Sequence, residues 1–163
     1  MYSMKIRDLP KKDFPELLLE INDPPKSLRV AGELPKGEKY LCVVGSRKYS
    51  DYGRVVCEKL IEGLRGYPIT IVSGLALGMD AIAHRAALKA GLKTIGVPGS
   101  GLGEKALYPR TNFMLAQEIV ERGGALLSEF PDDFKPHLYS FPQRNRIMAG
   151  MCHATLIVEA ELK

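Results

Sequence analysis

A chain of 163 residues that is 45% hydrophobic and 26% charged is long enough for one domain with its own core, and its composition is that of an ordinary globular protein. The formal charge of +4 allows a polyanion as partner without demanding one, and no apolar run approaches the ~18 residues of a membrane span. There is no basic-then-apolar signal sequence, and Cys42, Cys57 and Cys152 have neither metal-ligand spacing nor a disulfide framework, so the expectation is a cytoplasmic chain with buried thiols, no metal and no cofactor.

In chain order, residues 1–39 are rich in proline and charge and read as an N-terminal extension packing on a main domain at 40–163. Phe14, Leu17, Leu18 and Ile21 predict one short helix, stopped by Asp23-Pro24-Pro25, and residues 27–31 predict a short edge strand before the Pro35-Lys36-Gly37 turn. From residue 40 onward strands and helices alternate. The apolar run 40–44 leads through Gly45-Ser46-Arg47 to a helix after Ser50-Asp51, with Val56, Leu60 and Leu64 on one stripe. Strand 69–72 ends in Ser73-Gly74, and an alanine-rich helix follows at 78–90, stopped by Gly91. Strand 94–97 ends in Pro98-Gly99-Ser100-Gly101 before a helix at 112–122 carrying Leu115 and Ile119. Strand 125–127 ends in Ser128-Glu129, a helix starts near Phe141, and strand 154–158 closes the series.

This alternation predicts an α/β fold, a Rossmann-like three-layer sandwich with a mainly parallel sheet. In such a sheet, right-handed crossovers bring the strand exits to one rim, where ligands bind. Each of the small residues at Gly45-Ser46, Ser73-Gly74, Gly99-Ser100-Gly101 and Ser128 reads first as a turn requirement, but together on one edge they let main-chain amides approach an anion there. The spacing of Gly99 to Gly103 is not GxGxxG, and no GxxxxGK[ST] occurs.

The stretch Phe141-Pro142-Gln143-Arg144-Asn145-Arg146-Ile147 carries the sharpest signal. Ser140 with Gln143 fits a capping box and Pro142 fits a first turn, so Arg144 and Arg146 fall where a helix favours negative charge. A bound phosphate chain beside an aromatic Phe141 would reverse that unfavourable sign; Phe141 in the core with paired arginines is the structural alternative. Arg47, directly after the first strand, points to the same cleft, with Lys48, Arg110 and Lys135 widening a positive rim. Asp80 and His84, one turn apart, fit either acid–base machinery or an answer to the helix dipole. Glu129 and Glu159 are further acids at strand exits without a visible nucleophile or metal partner, and His137 and His153 stand alone.

Gly45-Ser46-Arg47 with Tyr52-Gly53, SGLALGMDAIAH at 73–84, Tyr108-Pro109, Leu127-Ser128-Glu129 and FPQRNRI at 141–147 together resemble, in order and spacing, the signature series of the DNA processing protein A (DprA/Smf) family. The resemblance implies a Rossmann-like domain that binds and protects single-stranded DNA and assists loading of the RecA recombinase in natural transformation, in a family of common homodimers not known as enzymes. Carried over residue by residue, it implies a DNA site at Gly45, Ser46, Arg47, Ser73, Gly74, Phe141, Arg144, Asn145 and Arg146, and no catalytic residues. Family members continue past Glu159-Ala160 with a glycine-rich helix and further strands that contribute to the dimer and RecA surfaces. The competing expectation is a nucleotide-hydrolysing enzyme of the lysine-decarboxylase-like phosphoribohydrolase group, which shares glycine-rich strand exits. That group carries PGGxGTxxE, whereas Pro98-Gly99-Ser100-Gly101 here lacks the Thr and Glu at the needed spacing.

Overall fold

Runs of β-branched and other apolar residues, each closed by glycine or serine, become the central strands of one seven-stranded sheet in a computed structural model that describes residues 4–162. Strands β3 (Lys39–Val44), β4 (Ile69–Ser73), β5 (Thr94–Gly96) and β6 (Ala125–Ser128) lie side by side and parallel, and β7 (Ala154–Ile157) joins in parallel on the other side of β3. The direction of progression therefore reverses at β3, which is the switch point where a crevice opens beyond the strand ends.

Alternate residues of β3 serve opposite layers, as a pleated strand requires. Val43 packs with Cys57 and Ile61 of α1 (Asp51–Glu62) and Met79 of α2 (Met79–Lys89). Cys42 packs with Ile147, Met148 and Met151 of α4 (Ser140–Met151). Leu126 of β6 meets Leu115 and Ile119 of α3 (Phe113–Glu121) on the α1–α2 side, so three helices cover one face and α4 the other. The α/β three-layer expectation holds, and all three cysteines are buried thiols.

Residues before β3 extend the same sheet. β2 (Arg29–Gly32) pairs antiparallel with β6, and β1 (Ile6–Asp8) pairs antiparallel outside it, so the strand expected at the edge is an inner one. The short helix expected around Phe14 to Ile21 is two 3-10 turns, Lys11–Asp13 and Glu16–Glu20, because Pro10, Pro15 and Pro24 leave too few residues to nucleate an α-helix. Phe14 and Leu18 from these turns pack in the α4-side core. In α1 the buried stripe is Gly53, Cys57 and Ile61; of the expected stripe, Leu64, just past the helix, packs partly buried against the same core, whereas Leu60 is 47% exposed. The capping box at α4 does not form: the helix begins at Ser140, whose buried hydroxyl accepts from the His137 amide (2.9 Å) and donates to the His137 carbonyl (2.7 Å). Among the described residues no helix is long and apolar enough to cross a membrane.

Candidate functional site

Helix α4 aims its arginines by its own periodicity. Arg144 shares a stripe with Ile147, Met148 and Met151, all facing the sheet, so its side chain is driven inward and is only 5% exposed. Its Nη1 donates to the carbonyls of Gly74 (2.8 Å) and Val97 (2.7 Å), beyond the ends of β4 and β5, and its Nε donates to Asn145 Oδ1 (2.9 Å). Arg146, two residues on, points elsewhere. It grips Glu129 with both terminal nitrogens (2.5 and 2.8 Å) and reaches Asp23 of the N-terminal segment, 3.4 Å to its carboxylate. Arg144 and Arg146, treated alike in the sequence, thus occupy different surroundings.

Phe141, half-buried against Gly99, joins the cations on the cleft side. The Arg47 guanidinium carbon lies 5.3 Å from the Phe141 ring centre and that of Arg144 5.8 Å, both within cation–π range. Arg47 is exposed and, among the described residues, forms no ion pair. Gly78, at φ +78°, approaches its backbone so closely that a Cβ there would lie 2.5 Å from the Arg47 carbonyl oxygen, and the next amide, of Met79, donates to the Ser46 carbonyl (3.1 Å). Between β3, β7 and α4 lies an open crevice of about 340 Å³ lined by Arg47, Asp80, Phe141, Arg144, Asn145 and Thr155, among others. Tyr108, 41% exposed with its ring 5.8 Å from that of Phe141, lines an adjoining smaller hollow together with Phe141, Arg47 and Gly99. Tyr108 is a site neighbour that the local sequence marks only by a Tyr-Pro pair beyond the glycine-rich loop at the same rim.

The small residues at the strand exits act as struts rather than as open anion holders. The Ser46 amide donates to the Glu159 carbonyl (2.9 Å), the Gly74 amide to Asp80 Oδ2 (3.1 Å), and the Ser73 hydroxyl to the Val43 carbonyl (2.6 Å). Ser128 likewise donates to the Ser100 carbonyl. Positive charge at the crevice therefore comes from guanidinium groups. Of the outer cations, Arg110 is tied to the Glu104 carbonyl and Lys135 to the Lys105 carbonyl, while Lys48 is exposed on the Arg47 loop.

Asp80 and His84 do not form a pair. Burial pushes the Asp80 carboxyl above the usual range, opposed by Arg144 and by the amides of Ala76 and Gly74. His84 is fully buried and turned into the core, its Nδ1 bonded to Thr94 Oγ1 (2.7 Å), which itself donates to the Ile71 carbonyl; among the described residues Nε2 meets no hydrogen-bond partner. Burial drives the imidazole from 6.5 down to about 3. The unfolded imidazole then binds a proton through a range where the folded one does not. His84 stabilisation is complete above pH 6.5 and falls as the pH drops toward 3, at up to about 1.4 kcal/mol per pH unit. Asp80, shifted upward, offsets part of that loss at the acid end. Denaturant unfolding at pH 7 and pH 5 measures the effect, and His84→Gln should flatten the difference. Glu129 is engaged by Arg146 and Glu159 by Ser50, and among the described residues no group of His, Cys, Asp and Glu is arranged to hold a metal ion.

The sequence profile of the family described as DNA recombination-mediator protein A matches residues 5–163. Protein Smf of Escherichia coli is 46% identical over 155 residues, which are 92% of this chain and 40% of that protein. The X-ray structure of DNA processing protein A from Streptococcus pneumoniae superposes with a TM-score of 0.87 at 40% identity, covering 98% of this chain and 56% of that one. The DNA processing protein A structure from Helicobacter pylori, described for its single-stranded DNA binding mode, gives 0.87 at 32% identity, covering 98% and 72%. The chain thus spans less than half the length of the Escherichia coli relative.

Proposed function

The chain belongs to the DNA recombination-mediator protein A family, and on that premise we propose that the crevice between β3, β7 and α4 binds single-stranded DNA. The observation that carries this reading is the meeting of an exposed Arg47, in no ion pair among the described residues, with the Phe141 ring at 5.3 Å, a cation beside an aromatic face at the switch point of the sheet. Arg47 neutralises a phosphate, and Phe141 with Tyr108 offers the stacking surface. Asn145, exposed on the first turns of α4, is within the same crevice for a base edge. Gly45 and Arg144 line it, Ser46, Ser73 and Gly74 brace the strand exits behind it, and Arg146 ties α4 to Glu129. A recessed aromatic wall requires an unstacked base, which favours single strands over duplex. The wider reading, supported by the family alone, is that the bound strand is protected and passed to the RecA recombinase in the cytoplasm, with a homodimer as the working form.

Titration of a labelled oligonucleotide, single-stranded against duplex, at two salt concentrations tests the site. Single-strand affinity should fall with salt at about −0.7 per neutralised phosphate. Arg47→Ala should make that slope shallower by about 0.7 while leaving stability within about 0.5 kcal/mol, because the side chain is exposed. An unchanged slope, or equal affinity for duplex, would count against this crevice.

A further inference from the structure

Arg47 rides on the loop between β3 and α1, and its orientation toward Phe141 depends on what holds that loop. Three anchors come from the segment after β7. The Val158 amide donates to the Val44 carbonyl (3.0 Å) and the Ser46 amide to the Glu159 carbonyl (2.9 Å). The third anchor is a side chain: the Glu159 carboxylate accepts from the Ser50 amide (3.2 and 3.1 Å to its two oxygens) and from the Ser50 hydroxyl (3.2 Å). Ser50 in turn caps α1, its hydroxyl accepting from the Gly53 amide (3.0 Å). An anion at this helix start is also electrostatically favourable.

Gly53 supplies an independent sign that this contact is built in. Glycine inside the first turns of a helix is unfavourable relative to alanine. Here a Cβ would lie 1.8 Å from Glu159 Oε2, so the carboxylate reaches Ser50 only because the side chain is absent. We propose that Glu159 is a positioning residue for single-strand binding, clamping the 45–50 loop so that Arg47 meets Phe141. The proposal rests on the reading of the crevice given above.

Three variants break or preserve the clamp in different ways. Glu159→Ala removes the carboxylate, Gly53→Ala displaces it without touching Glu159, and Glu159→Gln keeps an acceptor oxygen in the same place. Amide hydrogen exchange without DNA reads the loop; oligonucleotide titration at two salt concentrations reads its consequence. Glu159→Ala and Gly53→Ala should each speed exchange at the Ser50 amide and weaken single-strand binding by on the order of 3- to 10-fold, with a shallower salt slope. Combining either with Arg47→Ala should lose no more than Arg47→Ala alone, since all act through one guanidinium. Glu159→Gln should stay within about twofold of the parent, a rescue that a general loss of packing would not give.

Unchanged or stronger binding in folded Glu159→Ala, where Arg47→Ala weakens it, overturns the clamp, as does a glutamine variant as weak as the alanine one. Should Arg47→Ala itself have no effect, the crevice reading fails instead. The Ser50 exchange rate then still judges the clamp, and an unaltered rate refutes it.

Discussion

Replacing Arg144 by alanine is expected to lower the unfolding free energy by about 3–5 kcal/mol, a large part of the stability of a domain this size. Arg144 is only 5% exposed, so water does not fill its place readily. The carbonyls of Gly74 and Val97 lose their donor at the ends of two central strands. Asp80, itself 6% exposed and already pushed toward its neutral form by burial, loses the cation that opposes that push. Lysine keeps the charge and a nitrogen for the carbonyls but loses the Nε donor to Asn145 and the planar group beside Phe141, so Arg144→Lys should fall between parent and alanine. The double change Arg144→Met with Asp80→Asn should be less destabilised than the sum of the two single changes, because no buried charge is then left uncompensated. Denaturant unfolding at pH 7 checks the parent and all five variants. A midpoint for Arg144→Ala close to the parent's would mean that the strand ends need no donor from α4.

That expectation also separates what was legible in the sequence from what was not. The alternation of apolar runs and helical patterns fixes the layers, since every central strand and every flanking helix from β3 onward lies within a few residues of its expected place. The stripe Arg144, Ile147, Met148, Met151 was equally readable by period, and it says that Arg144 faces the sheet. Charge at a helix start drew the eye instead to an outward anion site. Arg146 was ambiguous for a different reason: its partners Glu129 and Asp23 come from distant segments, 17 and 123 residues away, and only tertiary structure brings them together. Strand β1 escaped notice because three residues before a proline carry no pattern that a period can reveal. The serines at the strand exits were correctly placed at one rim, but the direction of a hydroxyl depends on which neighbouring carbonyl is unpaired. Local sequence does not record that.

Replacing Phe141 by alanine should weaken single-strand binding by about 1–3 kcal/mol, roughly 5- to 150-fold, with the salt slope unchanged. The ring carries no charge, so it neutralises no phosphate; its contribution is a face for a base. It borders both the β3–β7–α4 crevice and a smaller, more enclosed hollow beside Gly99 and Tyr108. Arg47→Ala should behave in the complementary way, with a shallower slope and a loss that shrinks as salt rises. The two variants together therefore distinguish stacking from phosphate contact at the same place. Tyr108, its ring 5.8 Å from that of Phe141, is close enough to share the base, so Tyr108→Ala and Phe141→Ala should be non-additive. Phe141→Trp, which enlarges the face, should retain binding if the Gly99 wall accommodates it, whereas Phe141→Leu should not. Because the ring is half-buried against Gly99, unfolding must be measured on each variant at the working temperature. An alanine variant that stays folded and binds single strands as tightly as the parent would remove the aromatic wall from the site and leave Arg47 as a charge among other surface charges.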